Sequence, residues 1–261
     1  PCAHIEGGEV SGTIDEIYRH CNSKLCRYHF VSSDAARDRV MALGEATEDV
    51  FVIGSPELDV HKAPSGVDIE TVRQRYDIVF ENYGIVLFHP VTSEQDTIGV
   101  QARALFASLN ASGREFVVIS PNNDPGSDQI FATIKNLPKD RFRHIPSMRF
   151  SFFSELMRNS SAIIGNSSLG VREAPFLGLQ SLNLGTRQSN RAMATSVTHS
   201  TCEDQARIGA FLTHNWGIRC KVDGSFGIGN AASQFVKILD TSEFWDRPKQ
   251  KKFVDKSSTS T

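Results

Sequence analysis

Short apolar runs recur along the chain and alternate with segments of helical pattern, and this alternation is the strongest constraint on the fold. The runs are strand-sized and mostly apolar: Val50–Ile53, Ile85–Phe88, Phe116–Ile119, Ala162–Ile164 and Ser181–Leu184. Strands without a polar face are typical of parallel sheets that helices cover on both sides. The sequence therefore predicts an α/β protein built on parallel sheet.

Helix-like patterns occupy the stretches between these runs. The predicted helices include Asp34–Leu43, Ser93–Asn110, Ser127–Asn136, Gly170–Leu177, Glu203–His214 and Asn230–Leu239. By contrast, Leu58–Val67 contains proline and glycine and has no clear period, so we predict a linker there. The Ser/Thr-rich end, from Lys249 onward, is predicted to fray.

Composition excludes several classes of function. The 261 residues suffice for one large or two modest domains, and their net charge of −2 creates no field that would attract nucleic acid or an anionic membrane. The five cysteines are odd in number and form no CxxC pair, which indicates free thiols in a reducing compartment and no metal site. We therefore expect a cytoplasmic protein whose partners are neither nucleic acid nor membrane.

The residues that directly follow the predicted strands are the first place to look for a ligand, because open parallel sheets bind ligands at the carboxyl ends of their strands. These segments are rich in Gly, Ser, His and Arg: 4–12, 54–56, 89–90, 120–124, 165–168 and 185–191. Such a composition favours a phosphorylated ligand.

"SAIIGNSSLGVREAPFLG", residues 161–178, turns from a strand into a predicted helix through Gly165, Asn166, Ser167 and Ser168. Small residues let backbone N–H groups approach an anion, and a helix N-terminus adds its dipole. Glu173 follows at a distance suited to the two hydroxyls of a ribose. Ser and Asn also cap helices without any ligand, so this stretch alone leaves both interpretations open.

"NLGTRQSNR", residues 183–191, follows the next strand and carries Arg187 and Arg191. Guanidinium groups pair with phosphate oxygens in a fork, so two arginines suit a diphosphate. An exposed charged loop is the alternative. We favour the ligand-binding role because the two loops follow consecutive strands and should be neighbours.

Acidic residues crowd "HIEGGEVSGTIDEIYRH", residues 4–20. Thr13 and Glu16 have the spacing of a capping box, so we assign Glu16 a structural role. Glu6 ends a strand before two glycines, where a buried carboxylate is costly without a function. His89, in "FHPVTSE", is a candidate acid, base or phosphate contact at another strand end.

These segments, with "FVSS", "GSPELD" and the downstream "GSFGIGNAASQF", resemble the hydrolysing UDP-N-acetylglucosamine 2-epimerases and their relatives that act on UDP-diacetylbacillosamine. The resemblance implies two Rossmann-like domains of the glycosyltransferase-B type. It assigns residues 1–60 to the first domain, which would be incomplete, 61–240 to a UDP-binding domain and 241–261 to a partly disordered tail.

The resemblance also implies a reaction and its residues. UDP is eliminated from UDP-N-acetylglucosamine, and water and a proton then add to give N-acetylmannosamine. Glu6 and Asp15 match catalytic carboxylates and His89 an active-site histidine; UDP would contact Ser167, Ser168, Glu173, Arg187 and Arg191. Arg19 would orient the acidic cluster. No cofactor or metal is implied, and homo-oligomers are expected.

Three alternatives stay open at this point. The substrate could be UDP-N,N'-diacetylbacillosamine, or the enzyme could be of the non-hydrolysing type that retains UDP on the sugar; a glycosyltransferase of the same fold is a further class. The family also carries an N-terminal stretch before "HIEGGE" with a glycine-rich loop, an arginine and a catalytic aspartate. We therefore expect the 261 residues alone to be poorly active. A module that only binds UDP is a further alternative.

Overall fold

The computed structural model describes residues 2–191, 194–248 and 250–255. Its strands in chain order are β1 Ala3–Ile5, β2 Tyr28–Val31, β3 Val50–Val52, β4 Tyr83–Leu87, β5 Glu115–Ile119, β6 Phe142–Ile145, β7 Ala162–Gly165, β8 Ser181–Leu184 and β9 Val197–Ser200. All pairings between them are parallel. The predicted α/β class is thus confirmed.

Helices separate almost all of these strands. They are α1 Asp15–Leu25, α2 Asp34–Ala42, α3 Pro56–Lys62, α4 Ile69–Tyr76, α5 Ile98–Ala111, α6 Ser127–Lys135, α7 Phe150–Arg158, α8 Glu173–Phe176, α9 Gln205–His214, α10 Ala231–Leu239 and α11 Ser242–Trp245. Single 3-10 turns occur at Thr47–Asp49, Thr92–Glu94 and Ser168–Gly170.

The chain divides into two compact units. The described residues of Pro1–Ala63 and Gly224–Thr261 form the first, and Pro64–Asp223 forms the second. The expected division at 60 lies three residues early. The expected end of the second domain at 240 differs more, because the chain returns to the first unit after Asp223.

Packing explains this return. In the first unit the sheet has the order β1-β2-β3, and Phe30 on β2 is buried with Ala231 of α10 and Phe244 of α11. The carboxylate of Asp59 in α3 accepts hydrogen bonds from the backbone N–H groups of Ala231 (2.8 Å) and Ala232 (2.7 Å), at the start of α10. Residues expected in the second domain and in the tail therefore complete the first core. Lys249 and residues 256–261 of the predicted frayed end lie outside the described residues.

The second unit contains a sheet of order β6-β5-β4-β7-β8-β9. Alternate residues of its central strands enter two separate cores: Val86 and Val118 pack with α5, α6 and α9, whereas Ile85 and Val117 pack with α4 and α7. Both faces are therefore buried, which is why these strands are apolar at consecutive positions.

The predicted linker at Leu58–Val67 is wrong in its first half. Pro56 occupies the first turn of α3, where its missing N–H costs nothing, so the proline starts a helix there. The sequence analysis also missed α4, in which only Val72 is buried, and the polar edge strand β9.

A buried carboxylate, Glu45, organises a polar cluster in the first unit. Its Oε1 accepts from Lys24 Nζ at 2.6 Å and its Oε2 from Lys251 Nζ at 2.6 Å. His29 Nε2 lies 3.2 Å from Oε2, and the His29 side chain is 0% exposed. Burial lowers the pKa of His29 to about 4, so the imidazole is neutral and donates a hydrogen bond to Glu45. The two lysine ammonium groups more than neutralise the single negative charge of Glu45.

We expect the stability of the first unit to fall as the pH drops from 6.5 towards 4. In this range an unfolded chain binds a proton at His29 and the folded chain does not, so the loss reaches up to about 3 kcal/mol. The lowered pKa of Glu45, caused by its lysine partners, adds a further loss below its ordinary value of 4.5. Urea unfolding at several pH values measures this. His29→Gln should flatten the dependence and His214→Gln, on the exposed end of α9, should not; equal slopes for both variants would contradict it.

Across the part of the chain that the structure describes, no helix has both the length and the apolar character that crossing a membrane requires.

Candidate functional site

The carboxyl ends of β4, β7 and β8 lie side by side, because these strands are parallel neighbours in the second unit. The loops that follow them begin at Phe88, Asn166 and Gly185. The sequence analysis expected the loops after β7 and β8 to be neighbours, and the structure confirms this. It also brings His89, after β4, to the same edge.

Asn166 joins the first two of these loops. Its Oδ1 accepts from the backbone N–H of His89 at 2.7 Å, and its Nδ2 donates to the His89 carbonyl at 2.8 Å. The Asn166 side chain is buried, and its backbone N–H donates to the carbonyl of Leu87 at 3.1 Å. One amide side chain thus fixes the backbone of the β4 loop against the β7 loop.

Gly165 makes this close approach possible. Its φ is +137°, and a Cβ at this position would lie 1.8 Å from the Leu87 carbonyl oxygen. The glycine of the "GNSS" stretch is therefore required by backbone packing, independently of any ligand.

Asn166 also supports the third loop through its carbonyl oxygen. Arg187 Nη1 donates to this oxygen at 3.3 Å and Gln188 Nε2 at 3.0 Å. Gln188 is buried, and its Oε1 accepts from Arg191 Nη1 at 3.1 Å. Both predicted arginines are therefore tied to the loop after β7, directly or through Gln188.

His89 is held as a neutral imidazole. Its Nδ1 accepts from the backbone N–H of Asn122, in the loop after β5, at 3.1 Å. Burial, assisted by the positive charge of Arg187, lowers the pKa of His89 to about 4. The proton of the neutral ring consequently sits on Nε2, so near pH 7 His89 offers a hydrogen-bond donor there and is not a cationic acid.

The predicted helix over Gly170–Leu177 is broken. Ser168 opens a 3-10 turn, and Glu173 opens the separate four-residue α8. Ser167 caps the turn, its Oγ accepting from the Leu169 N–H at 3.4 Å. So short a helix supplies little of the dipole that the sequence analysis invoked, and anion binding here must rely on individual N–H, hydroxyl and guanidinium donors.

Ser167 and Ser168 are half-buried, and Glu173 is 5% exposed at the start of α8. These three residues share one nine-residue segment, 165–173, with Gly165 and Asn166. The structure thus places Ser167 and Ser168 directly after β7, with His89, Arg187 and Arg191 in the neighbouring loops at one edge of one sheet. Glu173 follows eight residues beyond the end of β7, at the start of α8.

Glu6 occupies the corresponding position in the first unit, directly after β1. Its φ of +61° is uncommon for a residue with a Cβ, and its N–H is bonded to the Phe30 carbonyl at 2.8 Å. Ser55, after β3, donates from Oγ to Glu6 Oε1 at 2.7 Å. A strained backbone whose side chain is held by a buried hydroxyl is typical of a functional site.

Glycine is also required beside Glu6. A Cβ on Gly8, where φ is +75°, would lie 2.2 Å from the carbonyl oxygen of Ala36 in α2. The carbonyl of Gly8 accepts from Arg39 Nη1 at 3.1 Å. The "EGG" turn is therefore anchored on α2.

The expected capping box at Thr13 and Glu16 is not formed. The helix starts at Asp15, and Glu16 Oε2 accepts from the N–H of Ser11 at 2.8 Å. The Thr13 hydroxyl donates to Asp15 Oδ2 at 3.0 Å. Glu16 is still structural, as predicted, but it fastens the preceding loop, and Asp15 is exposed.

Arg19 was predicted to orient the acidic cluster. It donates from Nη1 to the backbone carbonyl of Glu9 at 3.4 Å. The Glu9 carboxylate is buried and accepts from the Ser32 hydroxyl, so Arg19 supports the loop between Glu6 and Asp15.

The sequence analysis missed the residues that hold the others. Asn166 was treated as one of several small polar residues, and Ser55, Asn122 and Gln188 were given no role. Each bonds a residue distant in sequence, which a local pattern does not reveal. Among residues 2–191, 194–248 and 250–255, no group of three or more His, Cys, Asp or Glu side chains is arranged to hold a metal ion.

Asn166→Leu is expected to destabilise the second unit by about 2–4 kcal/mol, because it leaves the N–H and carbonyl of His89 without their partners. Urea unfolding measures the loss. Asn136→Leu, at the exposed end of α6, is the matched control and should change stability by less than about 1 kcal/mol. Equal midpoints for the two variants would show that the Asn166 bridge is unimportant.

Comparison with known proteins places these observations in context. The family model described as UDP-N-acetylglucosamine 2-epimerase matches residues 1–240. A UDP-N-acetylglucosamine 2-epimerase of Neisseria meningitidis serogroup B is 37% identical over 255 residues, which is 97% of this chain and 68% of that protein. A UDP-N,N'-diacetylbacillosamine 2-epimerase (hydrolyzing) of Legionella pneumophila is 33% identical over 243 residues, which is 92% of this chain and 64% of that protein.

Solved structures show the same fold. A Methanocaldococcus jannaschii UDP-GlcNAc 2-epimerase in complex with UDP-GlcNAc and UDP gives a TM-score of 0.76 at 17% identity, covering 91% of this chain and 68% of that one. A UDP-GlcNAc 2-epimerase from Neisseria meningitidis bound to UDP-GlcNAc gives 0.70 at 19% identity, covering 92% and 69%. The chain thus spans about two thirds of the length of these proteins.

Proposed function

We propose that this chain carries the UDP-binding unit and part of the acid–base machinery of a hydrolysing UDP-sugar 2-epimerase. The chain belongs to the UDP-N-acetylglucosamine 2-epimerase family. The reaction would convert UDP-N-acetylglucosamine to N-acetylmannosamine and UDP. The observation that carries the proposal is the convergence of His89, Asn166 and Arg187 at the ends of adjacent strands.

The diphosphate is proposed to lie at the carboxyl ends of β4, β7 and β8. Ser167 and Ser168 would donate hydroxyl hydrogens, Arg187 and Arg191 would supply positive charge, and His89 would donate from Nε2. Fixed donors of this kind stabilise the negative charge that develops as a diphosphate leaves. We assign the ribose hydroxyls to Glu173, a carboxylate with two acceptor oxygens.

Glu6 and Asp15 are proposed to move the protons. The C2 proton of the sugar is removed as the bond from C1 to the diphosphate oxygen breaks, leaving a double bond between C1 and C2. Water then adds its hydroxyl to C1, and a proton returns to C2 on the opposite face. Groups on both faces of the sugar are therefore needed, and two carboxylates after β1 and at the start of α1 fit that requirement.

The similarity to the Legionella relative supports a second candidate substrate. The Legionella relative is named as acting on UDP-N,N'-diacetylbacillosamine, so that nucleotide sugar is the alternative to UDP-N-acetylglucosamine. A non-hydrolysing reaction would instead keep UDP on the epimerised sugar. A cytoplasmic location is part of the proposal and is supported by the five free cysteines; self-association is proposed by analogy with the family.

Product analysis by NMR tests the proposal. UDP-N-acetylglucosamine and UDP-N,N'-diacetylbacillosamine are each incubated with the 261-residue chain and, in parallel, with the polypeptide encoded by its whole open reading frame. We expect free N-acetylmannosamine and UDP from the latter. UDP-N-acetylmannosamine would indicate the non-hydrolysing reaction, and a transferred glycan would indicate a glycosyltransferase. Binding of UDP without any turnover would reduce the function to nucleotide binding.

A further inference from the structure

Two thiols of the first unit lie against each other. The Sγ–H of Cys2 donates to Cys26 Sγ at 3.4 Å and lies 3.5 Å from the carbonyl oxygen of Leu25. Cys2 directly precedes β1 and is exposed, whereas Cys26 directly follows α1 and is half-buried. The two sulfur atoms are in contact without a bond between them.

Backbone hydrogen bonds keep the pair together. The carbonyl of Cys2 accepts from the N–H groups of Arg27 at 3.0 Å and Tyr28 at 3.3 Å. Cys26 donates its N–H to the Asn22 carbonyl at 2.9 Å, and its own carbonyl accepts from Lys251 Nζ at 2.6 Å. Because both backbones are held, each thiol meets the other at a high effective concentration.

We propose that Cys2 and Cys26 form a dithiol modification site that low-molecular-weight disulfides, of the oxidised glutathione class, convert to an intramolecular disulfide. The Cys2 thiolate attacks one sulfur of the small disulfide, and a small thiol leaves. The Cys26 thiolate then attacks the Cys2 sulfur of the mixed disulfide and expels the second small thiol. The protein loses two protons and two electrons, and the small disulfide takes them up to become two thiols.

The surroundings of the two thiols set this order. Burial, together with the hydrogen bond and charge of the neighbouring Cys2 thiol, raises the pKa of Cys26 to about 11. Cys2 is the more exposed thiol and so attacks first. Once Cys2 is in a mixed disulfide its thiol no longer opposes ionisation of Cys26, while the positive charge of Lys251 continues to favour the thiolate.

The disulfide would close the loop from Cys2 to Cys26. That loop contains β1, all of α1, and both proposed catalytic carboxylates, Glu6 and Asp15. Oxidation would therefore restrain the segment that carries them. The chemistry itself does not depend on the proposed enzymatic function, since it requires only the two thiols.

In the test, the 261-residue chain is incubated with oxidised glutathione near pH 8 and then alkylated, and a non-reduced digest is analysed by mass spectrometry. We expect a peptide that links Cys2 to Cys26, lighter by two hydrogens. Cross-linking of a long loop should raise the Tm by about 5 °C, and a reducing thiol should reverse both changes.

Cys26→Ser and Cys2→Ser should each abolish the link and the Tm shift, while Cys21→Ser, which removes an exposed thiol of the same helix, should leave both intact. Stable glutathione adducts on Cys2 without the internal link would overturn the proposal. Links to Cys21, or between two molecules, formed as readily as the Cys2–Cys26 link would also overturn it. If a variant folds poorly, the peptide map of the oxidised chain without substitutions still shows whether the Cys2–Cys26 link forms.

Discussion

Gly165→Ala is expected to leave little or no folded second unit. The new Cβ would lie 1.8 Å from the carbonyl oxygen of Leu87 and 2.6 Å from its carbonyl carbon, both of which belong to a central strand. The φ of +137° is strained for any residue with a side chain. Relief would require β4 and β7 to separate, with loss of the bond from the Asn166 N–H to Leu87. We expect a cost above about 4 kcal/mol, a large share of a domain's stability.

Gly185→Ala is the matched control, because Gly185 also has a positive φ, +73°, but nothing lies within 4 Å of a Cβ there. It should cost only about 1–2 kcal/mol, the intrinsic penalty of the left-handed region. Urea unfolding and the yield of folded protein measure both variants. Similar losses for the two glycines would show that backbone conformation alone, and not the contact between β4 and β7, makes Gly165 necessary.

Glu6→Gln is expected to lower kcat by about 100- to 10,000-fold, the range of a general acid or base, while UDP affinity stays within a few fold. Glutamine keeps the size of the side chain and can still accept a hydrogen bond from Ser55, but it neither removes nor returns a proton.

Ser55→Ala removes the 2.7 Å hydrogen bond that holds Glu6 Oε1. We expect it to lower kcat by about tenfold, since it disturbs the position of the carboxylate and leaves its chemistry intact.

The measurement is UDP release from UDP-N-acetylglucosamine by the polypeptide encoded by the whole open reading frame. Glu16→Gln is the control: Glu16 is a nearby acid that accepts from Ser11 N–H, and its variant should retain kcat within a few fold. If Glu6→Gln kept more than a tenth of the wild-type kcat, Glu6 would not be the proton-transferring group.

Much of the sheet could be predicted from the sequence, because a strand that is buried on both faces has apolar residues at consecutive positions. Ile85, Val86, Val117 and Val118 are apolar at successive positions and enter cores on opposite sides of the sheet. Elements that bury few residues lack such an apolar pattern. Helix α4 buries only Val72, and the edge strand β9 is largely polar, so both were missed.

Other errors came from features whose meaning depends on context. Pro56 was placed in the segment 54–56 that ends a strand, although at the first turn of α3 it starts a helix that runs into the predicted linker at Leu58–Val67. The helix predicted over Gly170–Leu177 is split after Gly170, and Pro175 lies within the short second piece. The return of α10 to the first unit depends on Phe30 and Asp59, which lie more than 170 residues earlier.

Only part of the candidate site could likewise be predicted from local sequence. Glycine, serine and arginine after buried strands could be found locally, and they do converge in the second unit. The support supplied by Asn166 could not be predicted, because it depends on β4 lying beside β7, two strands that are far apart in sequence. The role of Ser55 depends likewise on the order of β1, β2 and β3 in the other sheet.

Calorimetric titration of UDP into the 261-residue chain tests the central claim, that the strand ends of the six-stranded sheet form a UDP site. We predict binding of one UDP to the wild type and affinity reduced by about 10- to 100-fold in Glu173→Ala, from loss of charged hydrogen bonds to the ribose. Glu115→Ala, at the opposite end of β5, should bind like the wild type. No binding to the folded wild type, or equal affinity in Glu173→Ala, would contradict the account.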